Sequence, residues 1–239
     1  MGKNVFGQSL WLKKKVFQIV GNMARKRFLE PNNVTIHGGE VIPHLPEKGV
    51  LFISNHQTIF TDVITMYHVF FASLNGQINS IEKNNYLKDP KLNLYYVAAR
   101  ETMEKGILPK VLALAGAVSV DRTWRKGEEM IKREVNPDDT KSIGMAIKDG
   151  WVVTFPQGTT RQGAPVRKGT AHIIKQYKPV VVPVRVDGFR EAFDKTGLKR
   201  LKTGVDLQVS FSEPLKIDYD NESVEELVQK MGKAIGEEN

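Results

Sequence analysis

Seven short runs rich in valine, isoleucine and aromatic residues recur along the chain, at 34–37 (VTIH), 50–54 (VLFIS), 95–98 (YYVA), 117–121 (AVSVD), 151–155 (WVVTF), 180–186 (VVVPVRV) and 205–211 (VDLQVSF). Between them lie segments that read as helices, at 62–74, about 108–114, 140–149 and 168–177, with a C-terminal helix opening at Ser223, whose Glu226 stands at capping-box spacing. Strands and helices taken in turn bury their apolar faces most economically as a sheet covered by helices. The expected fold class is therefore α/β, a single domain whose mixed sheet is mostly parallel at its centre and flanked by helices. The fifth and sixth runs are almost wholly apolar, as central strands covered on both faces are. The last alternates, with Val205, Leu207, Val209 and Phe211 on one face, and is expected toward an edge. The charged stretch 122–139 reads as a surface helix with loops.

Charge is concentrated at one end. Of the formal +8 carried by 239 residues, Lys3, Lys13, Lys14, Lys15, Arg25, Lys26 and Arg27 supply +7 within residues 1–29, where there is no acidic residue. The same segment sets Leu12, Val16, Val20 and Met23 at helical spacing, with Trp11, Phe17 and Phe28 nearby. A basic amphipathic helix of this kind suits an anionic membrane surface, so residues 1–30 are expected as a membrane-surface helix and 31–239 as the α/β domain. Its apolar runs are too short to span a bilayer. A solvated basic helix docked by its apolar stripe is the competing reading. Nucleic acid ranks last, because no nucleic-acid motif accompanies the charge. The chain has no cysteine, which rules out disulfides, thiolate metal sites and a cysteine acyl-enzyme and fits an intracellular protein. Of its five histidines, His37, His44, His68 and His172 have no partner at metal-ligand spacing.

Two polar turns follow apolar strands. "SNHQTIFTD" (Ser54–Asp62) places Asn55 and His56 where the chain leaves the second run and Asp62 at the head of the next helix. Open α/β sheets bind ligands outside the carboxyl ends of their strands, so His56 with Asp62 reads as a base and its orienting carboxylate. The alternative is a helix cap beside a structural loop histidine. "FPQGTTR" (Phe155–Arg161) follows another core strand and offers close backbone approach at Gly158, amide and hydroxyl groups at Gln157, Thr159 and Thr160, and the Arg161 guanidinium. That set suits a phosphate or carboxylate. Lys168, which opens the next helix, is a further candidate for an anion.

In order along the chain, the "NH" with its nearby aspartate, "GAVSVDR" (Gly116–Arg122), "FPQGTTR" and "VVVPV" (Val180–Val184) resemble the four sequence blocks of the glycerolphosphate and lysophosphatidic acid acyltransferase family. "YVAARE" (Tyr96–Glu101) resembles the segment between that family's first two blocks, so the resemblance spans roughly residues 34–190. It implies His56 as general base on the acceptor hydroxyl, Asp62 as the group holding the imidazole tautomer, and Arg122, Gly158 and Arg161 as holders of the acceptor phosphate. The strand around Pro183 would line the cleft. Two departures stand out. The family usually separates His and Asp by four residues where this chain has five, and it generally has Glu-Gly-Thr-Arg where this chain has Gln-Gly-Thr-Thr-Arg.

The implied reaction moves a fatty acyl chain from an acyl thioester, either acyl-CoA or acyl carrier protein, to the free hydroxyl of a lysophospholipid. No cofactor or metal is needed. The expected acceptor is 1-acylglycerol 3-phosphate, giving phosphatidic acid in phospholipid biosynthesis at the cytoplasmic face of the membrane, with peripheral or monotopic attachment. A lyso-aminolipid acceptor, a non-catalytic lipid-binding module of the same fold, and a hydrolase are the alternatives. The last ranks low because no serine nucleophile elbow is present.

Overall fold

The computed structural model describes residues 2–121, 125–126, 129–130 and 136–237. All seven apolar runs become strands of one sheet: β1 (Asn33–His37), β2 (Val50–Ser54), β3 (Leu94–Ala99), β4 (Ala117–Val120), β7 (Trp151–Thr154), β8 (Val180–Asp187) and β9 (Asp206–Phe211). A separate antiparallel pair joins β5 (Arg125–Lys126) to β6 (Glu129–Met130). The helices are α1 (Leu10–Ala24), α2 (Thr61–Leu74), α3 (Arg100–Met103), α4 (Ile107–Ala113), α5 (Pro137–Asp149), α6 (Lys168–Tyr177), α7 (Phe189–Ala192) and α8 (Val224–Ile235).

The sheet order is β1-β9-β8-β2-β7-β3-β4. From β8 to β4 the strands are parallel; β9 pairs with β8 antiparallel and with β1 in parallel. The mixed sheet with a parallel centre is thus the expected one, and β9 lies one strand in from the edge that β1 forms. Side-chain alternation divides the interior into two cores. Val50 and Phe52 of β2, Trp151 and Val153 of β7, and Val182, Val184 and Val186 of β8 face α1 and α2. Leu51, Ile53, Val152 and Val181 face α5, α6 and α8. Apolar residues on both sides of each central strand are what a parallel sheet covered on both faces requires.

The charged 122–139 stretch differs from its expected surface helix. Its described residues are the β5–β6 pair and the first turn of α5. That helix starts three residues before the expected boundary, because Asn136 accepts from the Asp138 N–H as N-cap and Pro137 takes the first helical position. Arg122 and Trp124 lie outside the described residues.

Of the helix expected over residues 1–30, Leu10–Ala24 is α-helical and Arg25–Leu29 continues as a π-helical turn, and its apolar stripe divides. Val16, Phe17, Ala24, Phe28 and Leu29 are buried, and all but Val16 belong to the same core cluster as α2 and the sheet; Val20 packs against that cluster. Leu12, Ile19 and Met23 stay exposed on the helix flank. Lys13, counted above with the basic face, is buried instead: it donates to the Leu94 carbonyl at 2.6 Å, and its nitrogen lies 4.2 Å from the Tyr95 ring centroid. Among the described residues, no helix is long and apolar enough to cross a membrane.

Candidate active site

β2 delivers His56 to the carboxyl edge of the sheet, and α2 begins with Asp62 in its first turn. The chain turns between them, so residues six apart meet: His56 Nδ1 and Asp62 Oδ2 are 3.0 Å apart. Asp62 is fully buried, and donors surround it. The Gln57 N–H reaches Oδ2 at 2.6 Å, the Thr58 N–H reaches both oxygens at 3.0 Å, and the Thr58 hydroxyl reaches Oδ1 at 2.5 Å. A carboxylate held this way accepts the Nδ1 proton and leaves Nε2 as the basic nitrogen. Nε2 has no protein partner among the described residues.

The two polar turns converge. The His56 ring stacks on Phe155, with centroids 3.7 Å apart and planes 17° from parallel, so the second turn begins against the imidazole of the first. Gly158 takes φ +65°, a conformation that favours glycine, and donates to the Phe155 carbonyl at 2.9 Å. Gln157 is buried, and its Nε2 closes the loop by donating to the Ala164 carbonyl at 2.7 Å. Thr159 and Thr160 are half-buried, and Arg161 is exposed, its N–H donating to Thr159 Oγ1 at 3.3 Å.

Other expected site residues serve elsewhere. The Asn55 side chain donates to the Val186 carbonyl at 2.9 Å and accepts from the Val186 N–H at 2.8 Å, which extends the β2–β8 pairing beyond its last residue. Lys168 forms an exposed ion pair with Glu225 of α8, outside the cluster. Pro183 is buried in β8, in register with Ile53. Arg122 falls among the residues not described. No three described His, Asp or Glu side chains gather as a metal site.

A model of the acyltransferase family, described as "Acyltransferase", matches residues 33–187, well over half of the chain. The chain belongs to the acyltransferase family. Among solved structures it is similar to the 1-acyl-sn-glycerophosphate (LPA) acyltransferase PlsC from Thermotoga maritima, with TM-score 0.59 and 16% identity over 93% of this chain and 77% of that one. No curated protein sequence matches it.

Three groups in contact with the candidate site are not among the residues singled out from the sequence. Arg190 donates through Nη2 to the carbonyls of His56 and Thr160. Arg167 is half-buried and donates through Nε to the Gln157 carbonyl at 3.0 Å; burial first, and the nearby Arg161 guanidinium second, lower its pKa. Thr58 supplies a hydroxyl to Asp62. The signal for Arg190 is its position in "DGFR", just past the carboxyl end of a central strand, where site residues gather.

Proposed function

We propose that this acyltransferase transfers a fatty acyl group from acyl-CoA or acyl carrier protein to the free hydroxyl of 1-acylglycerol 3-phosphate, forming phosphatidic acid. The observation that carries the proposal is the His56–Asp62 hydrogen bond beside the Phe155 stack, which sets a base against the turn that bears Arg161. His56 Nε2 takes the hydroxyl proton as the acceptor oxygen attacks the thioester carbonyl. The C–O bond forms, the C–S bond breaks, and the imidazolium returns the proton to the leaving thiolate. Asp62 holds the ring and stabilises its cationic form. Arg161 offers the acceptor phosphate bidentate geometry, and Arg167 adds positive charge beside it. The acceptor of the T. maritima neighbour is consistent with this choice.

The same reading places the protein peripherally on an anionic membrane, at the cytoplasmic face. In support, Ile19 and Met23 are 60% and 66% exposed, and Arg27 follows Met23 one turn on. Arg27 is tied to the loop after α7 through its Nη2 to the Leu198 carbonyl (3.4 Å) and through Arg200 Nη1 to its own carbonyl (3.0 Å). That loop exposes Lys195, Lys199, Arg200 and Leu201. Each such cation is worth about 1 kcal/mol near anionic headgroups.

The test is acyl transfer from a long-chain acyl-CoA to 1-acylglycerol 3-phosphate in anionic and in neutral vesicles, with wild type and folded His56→Ala. Turnover on anionic vesicles that falls about 10²- to 10⁴-fold in His56→Ala is expected. Wild-type turnover on a lyso-aminolipid and none on the phosphate acceptor would replace the acceptor. Equal partition onto neutral and anionic vesicles would remove the membrane reading.

A further inference from the structure

The turn that carries the base and the turn that carries Arg161 come from strands β2 and β7, and two parallel strands alone do not fix how far apart their terminal loops stand. A side chain from a third element joins them by hydrogen bonds. Arg190, in α7, donates from a single nitrogen, Nη2, to the His56 carbonyl at 3.0 Å and to the Thr160 carbonyl at 2.9 Å. A guanidinium NH2 has two protons, so each carbonyl receives one. The Arg190 main chain grips the base turn as well: its N–H donates to Gln57 Oε1 at 3.2 Å, while Gln57 Nε2 donates to Asp187 Oδ1 at 3.0 Å. The guanidinium is thereby anchored at the end of a short turn off β8, the strand beside β2.

We propose that Arg190 is a positioning residue for acyl transfer, whose guanidinium fixes the separation of the two turns so that an acceptor's hydroxyl meets His56 when its anionic group meets Arg161. This rests on the acceptor reading given above. The hydroxyl and the anionic group of one molecule are a fixed number of bonds apart, and both must be seated at once. A misplacement of about 1 Å costs on the order of 10²-fold in rate. An acceptor without an anionic group uses the base turn alone and does not depend on the separation.

The experiment compares wild type, Arg190→Met, which keeps the stem and loses every donor, and Arg190→Lys, which restores donors on a shorter and less directional group. Transfer from a long-chain acyl-CoA is measured for 1-acylglycerol 3-phosphate and for uncharged 1-acylglycerol, together with amide exchange across the chain. The expected result is a fall of about 10²-fold in kcat/KM for the phosphate acceptor in Arg190→Met, little change for the uncharged acceptor, and partial recovery in Arg190→Lys. Equal losses on both acceptors, or no loss on either, would overturn the proposal. Wild type inactive toward both acceptors would defeat the acceptor reading separately, and amide exchange then decides on Arg190. Exchange at least about 10-fold faster in Arg190→Met, confined to residues 56–62 and 158–161, supports the coupling. Unchanged exchange, or acceleration spread equally over β7 and β8, overturns it.

Discussion

A carboxylate without exposed surface destabilises a fold unless donors enclose it, and Asp62 is enclosed by two main-chain N–H groups, a hydroxyl and an imidazole. The same contacts that make its burial tolerable aim it at Nδ1. Asp62→Asn keeps the shape but turns an NH2 toward at least one of those donors. Its kcat is expected to fall about 10²- to 10⁴-fold with a lowered Tm, whereas His56→Ala, which removes a ring on the cleft side, loses activity with a smaller change in Tm. Steady-state kinetics beside thermal unfolding separates the two. At this scale the sequence marked His56 and Asp62, because polar residues that end an apolar strand have no packing purpose. Arg190 is marked less directly, by its place three residues beyond the end of β8. Its partners His56 and Thr160 lie 134 and 30 residues away, and only the pairing of β8 with β2 brings them together.

The five residues between His56 and Asp62 are accommodated by another element. The loop after α7 holds them by hydrogen bonds: the Ile59 N–H donates to the Lys195 carbonyl at 3.1 Å, the Phe60 N–H to the Thr196 carbonyl at 3.0 Å, and the Thr61 hydroxyl to the Gly197 carbonyl. Asp194 holds that loop in shape, accepting from the N–H groups of Gly197, Leu198 and Lys199 at 3.0, 3.2 and 3.0 Å. Burial acts to raise its carboxyl, but the Lys199 N–H, the Thr196 hydroxyl and the Gly197 and Thr196 N–H groups together hold it below the usual range. Gly197 has φ +79°, and a Cβ there would lie 2.8 Å from the Thr61 nitrogen and 2.9 Å from Thr58 Oγ1. Gly197→Ala is therefore expected to lower stability by about 1–3 kcal/mol and to lower kcat, since Thr58 and Thr61 hold the Asp62 turn. Ser223→Ala at the α8 capping box is the control. It is expected to cost about 1 kcal/mol and leave kcat unchanged, as α8 lies on the opposite face of the sheet. Denaturant unfolding and kinetics on both variants check the contrast.

Across the whole molecule, the N-terminal helix is part of the core, and it brings a buried cation with it. Burial lowers the Lys13 ammonium from the ordinary 10.5 to about 7, with Asp149 acting in the opposite direction. Below about pH 7 the folded protein carries the full penalty of a buried charge. Between about 7 and 10.5 the unfolded chain retains a proton that the folded chain has released, so stability rises with pH, by up to about 1.4 kcal/mol per pH unit for one whole proton. Lys13→Met is expected to flatten that rise, read by urea unfolding at pH 7, 8 and 9. An unchanged slope would place the pH dependence elsewhere. His68 acts on the acid side. Burial, and secondarily Arg25, lower it to about 3, so its neutral form favours the folded state and stability falls as pH drops below about 6.5.

The sequence by itself determined the seven strands, the α/β class and the two polar turns that follow core strands, because each of these follows from local patterns: apolar runs of strand length, helical spacing between them, and polar residues at strand ends. The tertiary structure decided which residues serve those turns. Strand order put β8 beside β2 and so brought Arg190 to His56, turned Asn55 into a link to Val186, and left Lys168 facing Glu225. It also divided the N-terminal helix into a docked face, with Lys13 inside, and an exposed flank at Leu12, Ile19 and Met23. Helical spacing names the stripes of a helix, but which stripe is covered depends on the surface that packs against it, and here that surface is built from residues far away in the chain.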